Sequence, residues 1–430
     1  MFLSGTQVNQ YGHLTIGGVD TVALCAQYGT PLYVMDEEEL RRRCRSFARH
    51  MREMFPDGRV AYACKAFCCK EMCRIASGEG IHLDIVSRGE LHTALSAGLL
   101  PERMILHGYN KSARELREAL DHGVGRIVVD SFDELVLLNE LAGAASKTAD
   151  ILLRITPGVC PDTHRAVITG ADDSKFGFSL KTGDAQRAVE TALSHPSLRL
   201  CGVHCHIGSQ IADCAPFVLA AERMADFLTE INRRTGRALP ELNLGGGFAI
   251  RYCEDDEVPA PEDYLRSVSE GLHRRCRQNG VQCPRVTIEP GRSIAGPCGI
   301  TLYTAGSIKQ IPDIRTFVAI DGGMTDNPRY ALYHARYTAV VANRMDAPCD
   351  CTVTLAGRCC ESGDLLGERM PLQNVQTGDI VAVLATGAYN FSMASSYNRL
   401  PHPAVVMVSG GVSRVVVRRQ SIEDILACDL

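Results

Sequence analysis

The sequence contains no run approaching the roughly 18 consecutive apolar residues of a membrane-spanning helix. Its N-terminus, Met1-Phe-Leu-Ser-Gly-Thr-Gln7, has no basic segment followed by an apolar one. A bilayer segment and a secretion signal are therefore not expected, and a cytoplasmic location is. An excess of charge of one sign is also lacking. The formal net charge is -5, with 22% charged and 45% hydrophobic residues. These are values for a soluble globular protein, with no electrostatic reason to expect nucleic acid or an anionic membrane surface. The run Arg41-Arg42-Arg43 does not alter this, because Glu37, Glu38 and Glu39 stand four residues earlier and predict a salt-bridged helix face.

Paired Cys-x-x-Cys spacing is missing as well. The 19 cysteines are many, but the number is odd and the chain is long, so reduced thiols are expected rather than a disulfide framework. Cys64, Cys68, Cys69 and Cys73 form one group of ligand-type residues, and Cys201, His204, Cys205 and His206 another. Without paired spacing neither predicts a metal site.

What the chain does contain is a strand-then-helix rhythm. At 430 residues it exceeds one ordinary core, so two domains are expected, one of them able to be a barrel of about 250 residues. Asp36 opens a helix as N-cap, with Glu37 to Glu39 at the positive end of its dipole and Leu40, Cys44, Phe47, Met51 and Met54 as its apolar stripe. Strands are predicted at Val60 to Cys64, Ile81 to Val86, Arg103 to His107, Arg126 to Val129, Ile151 to Ile155, Leu200 to Ile207, Leu242 to Leu244 and Val286 to Glu289. Helices are clearest at Ser112 to His122, Phe132 to Ala145, Asp184 to Ser194, Pro216 to Arg234 and Pro261 to Gln278. Strands alternating with helices in this way predict a (β/α)8 TIM barrel, with a doubly wound open sheet as the alternative. After Glu289 strand-like runs follow one another: Phe317 to Ile320, Tyr337 to Val341, Cys351 to Leu355, Ile380 to Leu384, Ala404 to Val408 and Ser413 to Val417. Helix returns only at Ile422 to Ala427. The expected division is a barrel over residues 36–284 and a β-sandwich or β-barrel domain over 285–430, completed by strands from residues 1–35.

A barrel places its chemistry at the C-terminal ends of several strands. Those ends carry Lys65; Asp84 and Ser87; Arg154; His204 and His206; Gly245, Gly246 and Gly247; and Glu289-Pro-Gly291-Arg292. The triple glycine lets backbone N–H groups approach an anion, as Gly291 does in the next loop, although a tight turn with no ligand accounts for the glycines equally well. Loops after the seventh and eighth strands are where barrels bind phosphate. His204 and His206 alternate with Cys205 and are expected to face one side. His204 reads as a core histidine, and His206, followed by Gly208-Ser209, as the better ligand contact. Glu289 reads either as a structural carboxylate or as one that hydrogen-bonds a cationic ring nitrogen. A lysine able to form an imine, a phosphate cradle, a histidine ring face and an acidic partner together describe a pyridoxal phosphate site.

At this point the sequence resembles the diaminopimelate decarboxylase family, of the alanine racemase-like (fold type III) class of pyridoxal phosphate enzymes, from about Leu14 to Arg418. The motifs are Tyr62-Ala-Cys-Lys-Ala66, Ser87-Arg-Gly-Glu-Leu91, His206-Ile-Gly-Ser209, Leu244-Gly-Gly-Gly-Phe248, Glu289-Pro-Gly-Arg292, Asp321-Gly-Gly-Met324, Cys360-Glu-Ser-Gly-Asp364 and Gly387-Ala-Tyr-Asn-Phe-Ser-Met-Ala394. The resemblance implies decarboxylation of meso-2,6-diaminopimelate to L-lysine, the last step of lysine synthesis, by a homodimer with shared active sites. It implies that Lys65 carries the cofactor, that His206 stacks on its ring, and that Ser209, Gly245 to Gly247, Gly291 and Tyr389 hold its phosphate, with Asp84 and Arg292 also on the cofactor side. Glu289 would keep the ring nitrogen protonated, which favours decarboxylation over racemisation. Arg292, Arg329 and Tyr333, with Tyr389, match positions that bind the substrate, its distal carboxylate included. Glu361 matches the residue that recognises the distal ammonium, and Cys360 the proton donor from the neighbouring subunit. Phe67 and Arg358 depart from the family pattern. A related decarboxylase of ornithine, lysine or arginine and a non-catalytic cofactor-binding relative are the alternatives. His107, Asp130 and His164 also fall near the expected rim, with no role assigned.

Overall fold

The structure is a computed structural model describing residues 3–162, 169–170 and 173–430; His164 lies outside the described residues. The chain divides into two compact units. One comprises residues 44–249 and 258–293, the other residues 1–43, 250–257 and 294–430.

The first unit is built on eight parallel strands: β1 (Arg59–Ala63), β2 (His82–Ile85), β3 (Met104–Leu106), β4 (Arg126–Val129), β5 (Ala149–Thr156), β6 (Leu198–His204), β7 (Glu241–Asn243) and β8 (Arg285–Ile288). Each pairs with the next, and β8 pairs with β1 through Thr287 with Arg59 and Ile288 with Val60, so the sheet closes into a (β/α)8 barrel and is not an open sheet. Ala61, Ile105, Val128, Leu152 and Cys201 form a small buried cluster contributed by five of the strands, which fills the interior with side chains. The helices start where the sequence satisfies their first N–H groups. Ser112 and Glu115 form a reciprocal capping box, and Ser131 caps Phe132–Ala144. Ser87, a candidate rim residue, instead caps Arg88–Ser96 by accepting from Glu90 N at 3.2 Å.

The boundary expected at 284/285 is corrected by this closure. Arg285–Ile288 is the stave that joins β7 to β1, so the barrel unit runs to Ser293. It begins at Cys44, partway along the helix Glu37–Met54, and residues 250–257 group with the other unit.

The second unit is a mostly β structure. Its central strand, Gly299–Ile311, pairs antiparallel with the N-terminal strand Leu32–Asp36, which also pairs in parallel with Ala404–Ser409. Residues near the N-terminus therefore complete a sheet made mostly from the C-terminal third. The 13-residue strand Gly299–Ile311 and the strand Leu365–Leu372 were absent from the sequence expectation. Glycine and polar residues break their alternation; Gly299–Ile311 is paired on both sides, whereas Leu365–Leu372 is an edge strand paired only with Cys351–Ala356, and neither arrangement is recorded in the sequence period. Glu37 pairs with Arg41, and Glu39 with both Arg42 and Arg43, so the triple arginine is a salt-bridged face. Among the described residues no helix is long and apolar enough to cross a membrane, and no disulfide is formed.

Candidate active site

In the barrel unit the polar residues converge where the strands end. Glu289, immediately after β8, is buried, and three side chains surround its carboxylate. His107 Nε2 lies 2.6 Å from Oε1, Asn243 Nδ2 donates to Oε1 at 2.6 Å, and His204 Nε2 lies 3.2 Å from Oε2. Burial alone would push this carboxyl up, but the two histidines outweigh it and hold the group well below the ordinary carboxylate range. Burial acts on His204 in the other direction, lowering it to about 4, with Glu289 opposing the shift. The His107 and His204 rings meet edge to face at 4.8 Å.

Asp84, on β2, is 1% exposed, and its Oδ1 is 3.8 Å from His107 Nε2. Among the described residues neither of its carboxylate oxygens has a hydrogen-bond partner. Burial raises its pKa, opposed by His107 and by the charge of Lys65. A buried carboxylate left in this state marks a place where a ligand group belongs. Arg154, also buried, lies 3.7 Å from Asp130 Oδ2 and 4.2 Å above the Phe176 ring. Asp130 in turn accepts from Gly177 N at 2.6 Å.

Lys65 sits in the short turn Cys64–Ala66 that follows β1. Lys65 is exposed while Cys64 and Ala66 are buried, so the backbone on either side is anchored, and the charge of Lys65 acts on Asp84 and His206. Tyr62 Oη donates to Phe67 O at 2.9 Å and Ala63 N to Pro290 O at 3.2 Å, which ties this turn to the loop after β8. The approach is close enough that a Cβ at Gly291 would stand 2.9 Å from Ala63 Cβ and 3.0 Å from Ala66 Cβ.

The expectation that His204 and His206 face alike ends with the strand itself, since β6 stops at His204. His204 turns into the barrel against Glu289, whereas His206 is half-buried and accepts from Gly246 N through Nδ1 at 3.3 Å. That bond keeps Nδ1 unprotonated, and burial with Lys65 nearby lowers the ring's pKa well below its usual value. A neutral imidazole results, held beside the glycine loop. In that loop Gly245 has φ +67° and Gly247 φ +114°, and a Cβ at Gly246 would stand 2.1 Å from Glu289 O. Arg292 donates to Ser209 Oγ from Nη2 at 2.9 Å, bringing a buried cation to the end of the same loop system.

In the β unit, Arg329 opens the short helix Arg329–Tyr333 and is buried. Its guanidinium lies 4.7 Å over the Tyr252 ring and 5.5 Å over the Tyr337 ring, and donates to Tyr337 Oη at 2.6 Å. Among the described residues its contacts are thus with neutral aromatic groups, the environment of a cation awaiting an anion. Asn390 donates to Tyr337 Oη at 3.4 Å and to Thr386 O at 3.0 Å. Tyr389 is half-buried in left-handed backbone at φ +61°, and Tyr333 is half-buried at the end of its helix.

Cys360 and Glu361 are exposed. Their loop is organised by Asp364, which is buried and accepts from Met324 N at 2.6 Å and from Cys359 N at 2.7 Å. Cys360 N donates to Asn398 Oδ1 at 2.9 Å, with Asn398 at φ +51°.

Sequence reasoning passed over Asn243, Tyr252, Tyr337, Asn390 and Asn398, and left His107 without a role. Asn243 and His107 carried a usable signal, a polar residue at the end of a barrel strand.

Comparison with known proteins places this geometry among relatives. Residues 37–296 match the family described as "Pyridoxal-dependent decarboxylase, pyridoxal binding domain". A diaminopimelate decarboxylase of Bacillus subtilis (strain 168) is 50% identical over 431 residues, covering 100% of this chain and 98% of that protein. One of Bacillus methanolicus is 48% identical over 98% of each. The crystal structure of diaminopimelate decarboxylase from M. jannaschii in complex with L-lysine matches with a TM-score of 0.92 at 32% identity, covering 99% of this chain and 98% of that one.

Proposed function

The chain belongs to the diaminopimelate decarboxylase family of pyridoxal-dependent decarboxylases, and on that premise we propose that it removes CO2 from meso-2,6-diaminopimelate to leave L-lysine, with pyridoxal phosphate as cofactor. The barrel residues fit that group. Asp84 offers two buried oxygens with no hydrogen-bond partner among the described residues, Gly245 to Gly247 pack so tightly that side chains are excluded, and Arg292 brings a cation to Ser209. The observation that carries the reading is Glu289, a buried carboxylate kept ionised by His107 and His204. Such a group is suited to hold a proton on a pyridine nitrogen.

Bound pyridoxal phosphate supplies a conjugated cationic ring that takes up the electron pair left when a carboxylate departs as CO2. Lys65 would hold the cofactor through its ε-amine. His206 lays its neutral ring against the cofactor face. Ser209, the Gly245 to Gly247 loop, Gly291, Arg292 and Tyr389 hold the phosphate through backbone N–H groups, hydroxyls and charge. Arg329, with Tyr333, binds the carboxylate remote from the reacting carbon, a role its buried and otherwise neutral surroundings support. Glu361 recognises the distal ammonium, and Cys360 returns a proton to the carbon that lost CO2.

The working form is a homodimer in the cytoplasm, in which Cys360 serves the neighbouring subunit. The exposure of Cys360 and Glu361 in the single chain supports this, since a proton donor for a carbanion must be shielded from water. Comparing CO2 release from diaminopimelate, lysine and ornithine tests the reading. Turnover of diaminopimelate well above the others is expected, and a preference for ornithine or lysine overturns it.

A further inference from the structure

One group of side chains beside Lys65 has no part in that chemistry. The sulfurs of Cys64, Cys68 and Cys73 lie within 4.8 Å of one another. Cys64 precedes Lys65 in the turn after β1, Cys68 lies in the connection that follows, and Cys73 is in the first turns of the helix Lys70–Gly78. The backbone between them is fixed at both ends. Tyr62 Oη holds Phe67 O, and Cys69 Sγ accepts from Met72 N at 3.5 Å to start the helix. Cys64 and Cys73 are buried and Cys68 is half-buried, so the cluster is enclosed on most sides.

Convergence of this kind is a ligand geometry. Zn2+ binds thiolates at about 2.3 Å in a tetrahedron, which sets the sulfurs roughly 3.8 Å apart. The three sulfurs therefore need to close by about an ångström at most, which side-chain rotation supplies. Three protein sulfurs leave the fourth position of a tetrahedron to a water. The spacing Cys-x3-Cys-x4-Cys is not a paired motif, which is why the spacing predicts no metal site here. The turn and the helix start bring the sulfurs together, not the spacing.

We propose that Cys64, Cys68 and Cys73 form a thiolate site for one soft divalent cation of the Zn2+ type, seated on the backbone that carries Lys65. Each thiol gives its proton to solvent as a metal–sulfur bond forms, and no electron is transferred. Because Cys64 is peptide-bonded to Lys65, the bound ion clamps the segment from 64 to 73 and so steadies the base of the lysine. The site stands independently of which amino acid the enzyme decarboxylates.

The test uses holoenzyme kept reduced, with metal content measured by mass spectrometry and the ligand shell by Zn K-edge absorption. We expect one equivalent of zinc with a sulfur shell at about 2.3 Å. Cys68→Ser and Cys73→Ser should weaken zinc binding by roughly tenfold or more, while Cys276→Ser, at a buried thiol elsewhere in the barrel unit, should leave it unchanged. On unmodified protein, saturating zinc should protect Cys68 from alkylation by iodoacetamide. Three results overturn the proposal: no zinc bound by protein whose thiols are free, a shell of nitrogen and oxygen only, as His107, His204 and Glu289 would provide, or alkylation of Cys68 at the same rate with and without zinc.

Discussion

Gly246→Ala is the sharpest perturbation the glycine loop offers. The new Cβ would stand 2.1 Å from Glu289 O and 2.9 Å from Glu289 C, whereas ordinary contact begins at 3.4 Å, so the loop or Glu289 must move by more than an ångström. Replacing glycine restricts the unfolded chain and alone would stabilise by about 0.4–1 kcal/mol. Overpacking of a rigid site costs about 1–3 kcal/mol or more, so the net effect should be destabilising. For a unit of this size each kcal/mol lowers Tm by roughly 2–4 °C. Function should suffer more than stability. Glu289 N donates to Gly245 O at 2.8 Å, so displacing the loop displaces the carboxylate that His107, His204 and Asn243 hold. Misplacing a reacting group by about an ångström costs roughly a hundredfold in rate. The assay is CO2 release from diaminopimelate with a thermal melt of the same preparation, against Gly306→Ala, where the added Cβ meets only Ala319 O at 3.7 Å. If Gly246→Ala matches Gly306→Ala in both Tm and turnover, the steric argument is wrong.

Four further outcomes are expected. Borohydride reduction of the holoenzyme followed by peptide mass spectrometry should place the pyridoxyl group on Lys65; a label on another lysine would remove that residue from its role. Arg329→Met should raise KM for diaminopimelate roughly 10- to 150-fold, the worth of a charge-assisted contact of about 1.5–3 kcal/mol. An unchanged KM would place the distal carboxylate elsewhere. Asp364→Asn removes the anionic acceptor of Met324 N and Cys359 N, and should lower kcat more than it changes KM, because the loop bearing Cys360 loosens while Arg329 stays in place; the reverse split would count against this. Burial and then the cations Arg103, Arg59, Arg126 and Arg285 lower His82 to about 4 from 6.5. The unfolded chain therefore binds that proton first, and stability is lost as pH falls from 6.5 toward 4. Between pH 7 and pH 5, urea unfolding should show the wild type losing roughly 1–2 kcal/mol more than His82→Gln; equal losses would refute the shift.

By itself the sequence determined the barrel and the residues on its rim. Each strand from β1 to β8 is a short apolar run followed by a turn or a capped helix, and both signals are local. Once the strands were located, Lys65, Asp84, His206 and Glu289 fell at their ends by counting. Only the tertiary structure decided what those residues touch. Glu289 owes its charge state to His107 and His204, which are distant in sequence and become neighbours only when β3, β6 and β8 take their places in a closed sheet. The N-terminal strand Leu32–Asp36 finds its partners more than 260 residues away, at Gly299–Ile311 and Ala404–Ser409, because hydrogen-bonding edges left open by one segment are satisfied by whichever strand reaches them. The thiols at 64, 68 and 73 show the same limit at short range. Their spacing does not announce a site, but a turn and a helix start, each closed by a hydrogen bond, bring the three sulfurs together. Local sequence sets which chemistry is available, and long-range packing sets which groups share a dielectric and can act on one another.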